Sequence, residues 1–196
     1  MTEGHHGKTE FPELRDHLLA HAVRRGDFVL KSGRKSSWFI DAKQTACRPE
    51  GMLLVADAVL SVLPEAVTAI GGLTMGADPV AFSVAAIAAT RGRPLRSFSV
   101  RKEVKDHGPG GRIAGVLGSE DQVVVVEDTT TRGTSLLEAA RVVREVGAEP
   151  LLLLAIVDRG GTCGALAAGE GIAFRSLVTA HDLGFEADEV ATAPNP

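Results

Sequence analysis

The chain has 196 residues, 44% hydrophobic and 23% charged, an ordinary globular composition with length for one domain and its own core. Its 21 Lys and Arg against 25 Asp and Glu leave a formal charge of −4, which argues against general binding to nucleic acid or an anionic membrane. The apolar runs at 123–126 and 151–157 fall far short of the roughly 20 residues of a membrane span. Residues 1–11 are too polar for a secretory signal, and Cys47 and Cys163 lie outside any CxxC. Together these features predict a cytoplasmic, reducing setting with neither a disulfide framework nor a Cys-rich zinc site.

Residues 11–25 carry Leu14, Leu18, Leu19 and Ala22 at helical spacing, with Gly26 as the stop. Residues 27–30 and 38–41 read as short strands around a Ser-Gly-Arg-Lys-Ser turn. A helix over 49–63 opens on Pro49, followed by a strand at 67–71, an Ala-rich helix at 79–90 and a strand at 95–100. Residues 102–112 are nearly all polar or glycine; they cannot fill a core and predict a mobile loop. Residues 122–127 contain four successive valines, the signature of a parallel strand buried on both faces. An amphipathic helix over 133–146 closes on Gly147. A buried strand at 151–157 leads into Asp158-Arg159-Gly160-Gly161, and 172–178 is the last strand. Strands alternating with helices from about residue 50 predict an α/β fold with a parallel sheet, and the first 45 residues a cap beside it.

The chemistry concentrates after the valines. A buried strand delivers Glu127 and Asp128 to its C-terminal end, and Thr129, Thr130, Thr131, Arg132, Gly133, Thr134 and Ser135 turn into the next helix. In open α/β sheets ligands bind at that end of the strands. The turn offers hydroxyls and backbone N–H groups to an anion on the helix N-terminus. The two carboxylates would repel that anion, so they serve something neutral or cationic: vicinal ribose hydroxyls, or a metal held through water. The implied ligand is a ribose phosphate, and the absence of Gly-Lys-Ser/Thr excludes a Walker A loop. Only six basic residues are Lys (8, 31, 35, 43, 102 and 105), and four of them fall in residues 31–35 and 102–105.

Residues 123–135 resemble the phosphoribosyl diphosphate (PRPP) signature of type I phosphoribosyltransferases. Two further segments resemble orotate phosphoribosyltransferases in particular: residues 28–41, with Leu-Lys-Ser-Gly, a Ser and aromatics, and Arg101-Lys102-Glu103-Val104-Lys105-Asp106-His107-Gly108, similar to their catalytic loop. The resemblance spans about residues 11–182. It implies the type I fold, a parallel central sheet flanked by helices with a small N-terminal hood. The hood would comprise about 11–45 plus the C-terminal segment, and the core about 49–160. It also implies conversion of orotate and PRPP to orotidine 5′-monophosphate and pyrophosphate, Mg²⁺ dependence, a place in de novo pyrimidine (UMP) biosynthesis, and a homodimer whose loop reaches the neighbouring site.

Carried over residue by residue, Arg101, Lys102, Lys105 and His107 match the diphosphate-binding positions. Lys105 and His107 would close over the leaving group, with Asp128 as the third catalytic residue, on the ribose. Such cations suit a leaving diphosphate that gathers negative charge. Lys31, Phe39, Ile40, Thr131 and Arg159 match the orotate contacts, and the planar fork of Arg159 suits a carboxylate or a carbonyl pair. No residue is assigned as a direct metal ligand. Trp38, the only Trp, is expected to pack the hood. One departure stands out: residues 71–79 match the family's pyrophosphate loop, but Met75 sits where many members have Lys. Alternatives are a phosphoribosyltransferase for another base and a non-catalytic regulator on the same fold; Lys105, His107 and the acidic net charge favour the enzyme.

Overall fold

The computed structural model describes residues 9–29, 35–104 and 111–187. Helix α1 (Pro12–His21) starts on Pro12 with Glu13 in its first turn and buries Leu14 and Leu18. It ends four residues before its predicted limit at residue 25, because the next residues find strand partners. Strand β1 (Val23–Val29) pairs antiparallel with β2 (Lys35–Ile40), Val23 opposite Ile40 and Arg25 opposite Trp38. Gly26 therefore does not stop a helix. It lies inside β1 at φ +151°, where the register slips between Arg25 and Phe28. Both hairpin strands are longer than their apolar residues alone indicate.

A single turn, α2 (Lys43–Ala46), leads into α3 (Pro49–Val62). The remaining elements are β3 (Ala69–Leu73), α4 (Asp78–Thr90), β4 (Arg96–Val100), β5 (Ile113–Gly115), β6 (Gln122–Thr130), α5 (Thr134–Glu145), β7 (Glu149–Asp158), α6 (Cys163–Gly169) and β8 (Ala173–Thr179). The sheet order is β5-β4-β3-β6-β7-β8, parallel throughout except for the β4–β5 edge pair. The expected parallel α/β sheet is thus present. Elements α2, β5 and α6, each of seven residues or fewer, have no counterpart among the predicted elements.

The valines explain the layering. Side chains alternate along a strand, so Val124 and Val126 join Leu152, Leu154 and Ile156 beneath Leu18, Val55, Val59 and Val80 on one face. Val123 and Val125 join Leu153 and Ala155 against Leu136, Ala140, Val143 and Ala167 on the other. Each of the four valines is fully buried, worth roughly 1.5–3 kcal/mol apiece relative to exposure. The chain winds outward from β3 to β4 on one side and from β6 to β7 and β8 on the other. The topological switch point lies between β3 and β6, and a crevice opens there at their C-terminal ends. Among the described residues no helix is long and apolar enough to cross a membrane.

Candidate active site

Strand β6 runs three residues past its predicted end and carries Glu127 and Asp128, both buried, to the switch point. The facing turn after β3 holds Gly76 against them: a Cβ there would collide with Glu127 Oε1 and Asp128 Oδ1. Asp78, at the start of α4, fixes this turn. Its carboxylate accepts hydrogen bonds from Thr74 Oγ at 2.6 Å and from Ser99 Oγ, on β4, at 2.7 Å. Met75 is exposed at the tip, so this turn contributes backbone and no cation.

Two carboxylates this close cannot both carry full charge in a desolvated place. Burial pushes the Glu127 carboxyl up to about 9, and the Asp128 charge and a hydrogen bond with Asp128 push the same way; Lys43 and Lys102 oppose it. Glu127 is thereby the member of the pair that resists ionisation. Asp128 has a counter-ion that the sequence reading did not identify: Lys43 Nζ lies 2.7 Å from Asp128 Oδ2 and 3.1 Å from Asp41 Oδ1. These contacts hold the Lys43 ammonium above its ordinary range against the opposing cost of burial. The one sequence signal was that Lys43 is among six lysines in an Arg-rich chain. Its partner lies 85 residues away, so local pattern could not reveal the pair.

The turn after β6 is closed by its own side chains. Thr130 Oγ accepts from the Gly133 N–H at 2.9 Å. Gly133 caps α5 in a left-handed conformation, φ +84°, and a Cβ there would strike Cys163 Sγ. Predicted as the first helical residue, Gly133 is the cap instead. No side chain caps α5, so the amides of its first turn remain available to an anion. Thr134 and Ser135 open that turn, and Arg132 is exposed beside it. Among the described residues, Glu127 Oε2 and Thr129 Oγ are buried polar atoms with no hydrogen-bond partner. A buried polar group normally has one, so this concentration marks a ligand site.

Pairing of β6 with β7 carries on past Thr130, opposite Asp158, to a hydrogen bond from the Arg159 N–H to the Thr130 carbonyl at 2.8 Å. Asp158 Oδ1 accepts from the Gly160 and Gly161 amides at 3.0 Å each. Gly160 packs against the Thr131 carbonyl. The Arg159 guanidinium lies 4.3 Å from the centroid of the Trp38 ring, at the junction of sheet and hood. Phe39 is half-exposed beside Phe28, whereas Ile40 points into the core, leaving its backbone as the part that could meet a ligand.

The segment after β4 is pinned at its base. The Arg101 N–H donates to the Arg112 carbonyl and Arg112 Nε to the Arg101 carbonyl, each at 2.7 Å. Arg101 Nη1 also donates to the Ile113 carbonyl at 3.0 Å, and Arg112 pairs with Glu138. Lys31, Lys105 and His107 lie outside the described residues. The structure brings together Glu127, Asp128 and the 129–135 turn, with Arg159 joined to that turn through Thr130, and it adds Lys43, Gly76 and Asp78.

No family model matches the chain. It is 37% identical over 169 residues to an orotate phosphoribosyltransferase of Synechocystis, covering 85% of each chain. It is 39% identical over 174 residues to one of Rhodopseudomonas palustris, covering 86% of this chain and 93% of the relative. Among solved structures, an orotate phosphoribosyltransferase of Mycobacterium tuberculosis superposes with a TM-score of 0.77 at 33% identity, over 88% of this chain and 98% of that one. The same protein has been crystallised with 5-phospho-α-D-ribosyl 1-diphosphate, and that structure superposes with a TM-score of 0.73 at 31% identity over 88% and 98% of the two chains. Relatives of this identity, aligned over most of both chains and sharing the sheet that carries the paired acids, establish that the chain belongs to the orotate phosphoribosyltransferases, on the type I phosphoribosyltransferase fold.

Proposed function

We propose that PRPP lies across the switch point, with its 5′-phosphate on the 129–135 turn and its ribose hydroxyls on the acid pair. The observation that carries this reading is the buried acid pair at the end of β6, in which Asp128 is held by Lys43 and Glu127 Oε2 has no partner, with burial pushing the Glu127 carboxyl up. A ribose diol can donate to Asp128 and accept from Glu127, so one charged and one neutral carboxyl match it better than two anions. The amides of α5, Thr134 and Ser135 suit the phosphate. The backbone of the Gly76 turn faces the acids, where the diphosphate would lie, and Met75 adds no cation there.

Orotate is an anion, and Arg159 supplies the fork for its carboxylate or carbonyls, with Lys31, Thr131 and the Phe39–Ile40 backbone around the ring. As the bond from C1′ to diphosphate breaks, the ribose gains oxocarbenium character and the diphosphate gains charge. Lys105, His107, Lys102 and Arg101 stabilise that charge. Magnesium fits the donor set as an ion brought with the substrate. Among the described residues no three His, Cys, Asp or Glu converge on a metal position. Mg²⁺ typically takes one or two carboxylates plus waters and substrate phosphates. Asp128 and the unpartnered Glu127 Oε2 would hold it through water, and when bound it supplies positive charge beside the diphosphate.

On this reading the chain serves pyrimidine nucleotide synthesis in the cytoplasm as a homodimer whose 102–112 loop completes the neighbour's site. The base assignment is tested by following loss of orotate absorbance with PRPP and Mg²⁺, with purines as competing bases; turnover of a purine and none of orotate would overturn it. The shared loop is tested by mixing Lys105→Ala with Arg159→Ala subunits. At orotate concentrations well below the raised KM of Arg159→Ala each homodimer is expected to turn over little, and exchange should restore one intact site per heterodimer. A mixture that exchanges and stays inactive refutes sharing.

A further inference from the structure

We infer that Trp38, backed by Phe185 and Arg25, is a positioning clamp for Arg159, so that the hood and the segment after β8 together set recognition of the base. This rests on the reading that Arg159 meets orotate. Four side chains from three separate stretches form one stack. Arg159 Cζ lies 4.3 Å from the Trp38 centroid. Trp38 and Phe185 are parallel, centroids 4.5 Å apart and 6° between planes. Arg25 Cζ lies 4.6 Å from the Phe185 centroid. Trp38 thus contacts both Arg159 and Phe185, and Phe185 contacts both Trp38 and Arg25.

The order cation, ring, ring, cation has a physical logic. The electron-rich faces of the two rings attract the guanidinium groups at either end. Trp38 and Arg159 are buried, so that attraction is little screened by solvent. An arginine recognises a carboxylate through two parallel N–H bonds only when its plane is fixed, and a ring beneath it fixes the plane while leaving the donors at its edge. Trp38 sits on β2 directly opposite Arg25 on β1, so the hairpin register itself builds two of the four layers. Arg159 follows β7 directly, and Phe185 is anchored by its N–H to the Ala180 carbonyl at 3.0 Å. Displacing the hairpin or the 180–187 segment would therefore release Arg159 without touching the PRPP pocket.

The test measures KM for orotate and for PRPP in Trp38→Leu, Trp38→Phe and Phe185→Leu, alone and combined with Arg159→Ala. Trp38→Leu should raise the orotate KM about 5- to 30-fold with the PRPP KM little changed, Trp38→Phe should recover most of the loss, and Phe185→Leu should show a smaller rise of the same kind. In the Arg159→Ala background none of the three should add a further effect. Because Trp38 is the only tryptophan, its emission should also change in ligand-free Arg159→Ala, which reads the stack without kinetics. If Arg159→Ala leaves the orotate KM unaltered, the orotate role of Arg159 fails, whatever the clamp does. If Arg159→Ala raises it and a folded Trp38→Leu does not, the clamp fails. Should Trp38→Leu not fold, Phe185→Leu decides, and an unchanged orotate KM in that variant overturns the proposal.

Discussion

Replacing Asp128 by Asn removes the member of the acid pair that Lys43 contacts while keeping its shape. A hydrogen bond to a charged partner contributes about 1.5–3 kcal/mol, so losing the ribose contact should lower kcat/KM for PRPP roughly 10- to 150-fold. The cost to folding should be small: Lys43 is 41% exposed, and an ammonium that remains hydrated loses less than about 1 kcal/mol when its partner goes. The pH response sharpens the test. In the native protein Glu127 keeps its proton up to about 9, first because it is buried and second because Asp128 is charged. The Asn variant removes only the second cause, so Glu127 should ionise at a lower pH than before while staying above the ordinary carboxylate range. As pH rises from 7 towards 9 the variant regains a single carboxylate, and its deficit relative to the native enzyme should shrink. The Asp128→Asn/Glu127→Gln double variant should show no such recovery. Initial rates from orotate absorbance, at saturating orotate and varied PRPP, give the comparison at each pH. An unchanged kcat/KM for PRPP at pH 7 would refute the ribose assignment, and a deficit that does not move with pH would refute the protonated state of Glu127.

Glu127→Gln should flatten the dependence of stability on pH. The folded carboxyl titrates above its unfolded value of about 4.5, so its contribution is complete below that pH and is lost progressively up to about 9; Tm measured across this window should fall in the native protein and less in the variant. Gly76→Ala drives a methyl into both carboxylates, and at about 1–3 kcal/mol for such overpacking kcat/KM for PRPP should drop roughly 5- to 150-fold; native kinetics would show that this turn is not part of the pocket. Lys43→Met leaves the buried Asp128 charge without its nearest cation and should lower Tm by about 2–8 °C, which thermal unfolding at neutral pH measures directly; an unaltered Tm would mean the pair is fully screened.

Much of the frame was legible because it is written in local pattern. Helices α3, α4 and α5 and strands β6 and β7 lie within a few residues of their predicted limits, since a doubly buried strand needs continuous apolar residues and a half-buried helix needs a 3.6-residue period. The short elements were not legible. Strand β5 spans only three residues and exists through its pairing with β4, and α6 is a seven-residue helix with no room for a period. The same reason explains α1: its last apolar residues fit a helix equally well, and the hairpin partner 17 residues further on, Ile40 opposite Val23, determined the outcome.

At the site, sequence alone determined which chemistry is present: two acids at the end of a buried strand, a hydroxyl-rich turn into a helix, and an arginine after the neighbouring strand. Each follows from the order of residues along one element. The tertiary structure decided how these groups behave. It placed the Gly76 turn beside Glu127 and buried that carboxyl, which pushes its titration up, and brought Lys43 across 85 residues to Asp128. It also laid Arg159 on Trp38 and Phe185, three residues with no common local pattern. Protonation and orientation depend on burial and on contacts between distant segments, and those come into existence only when the chain has closed on itself.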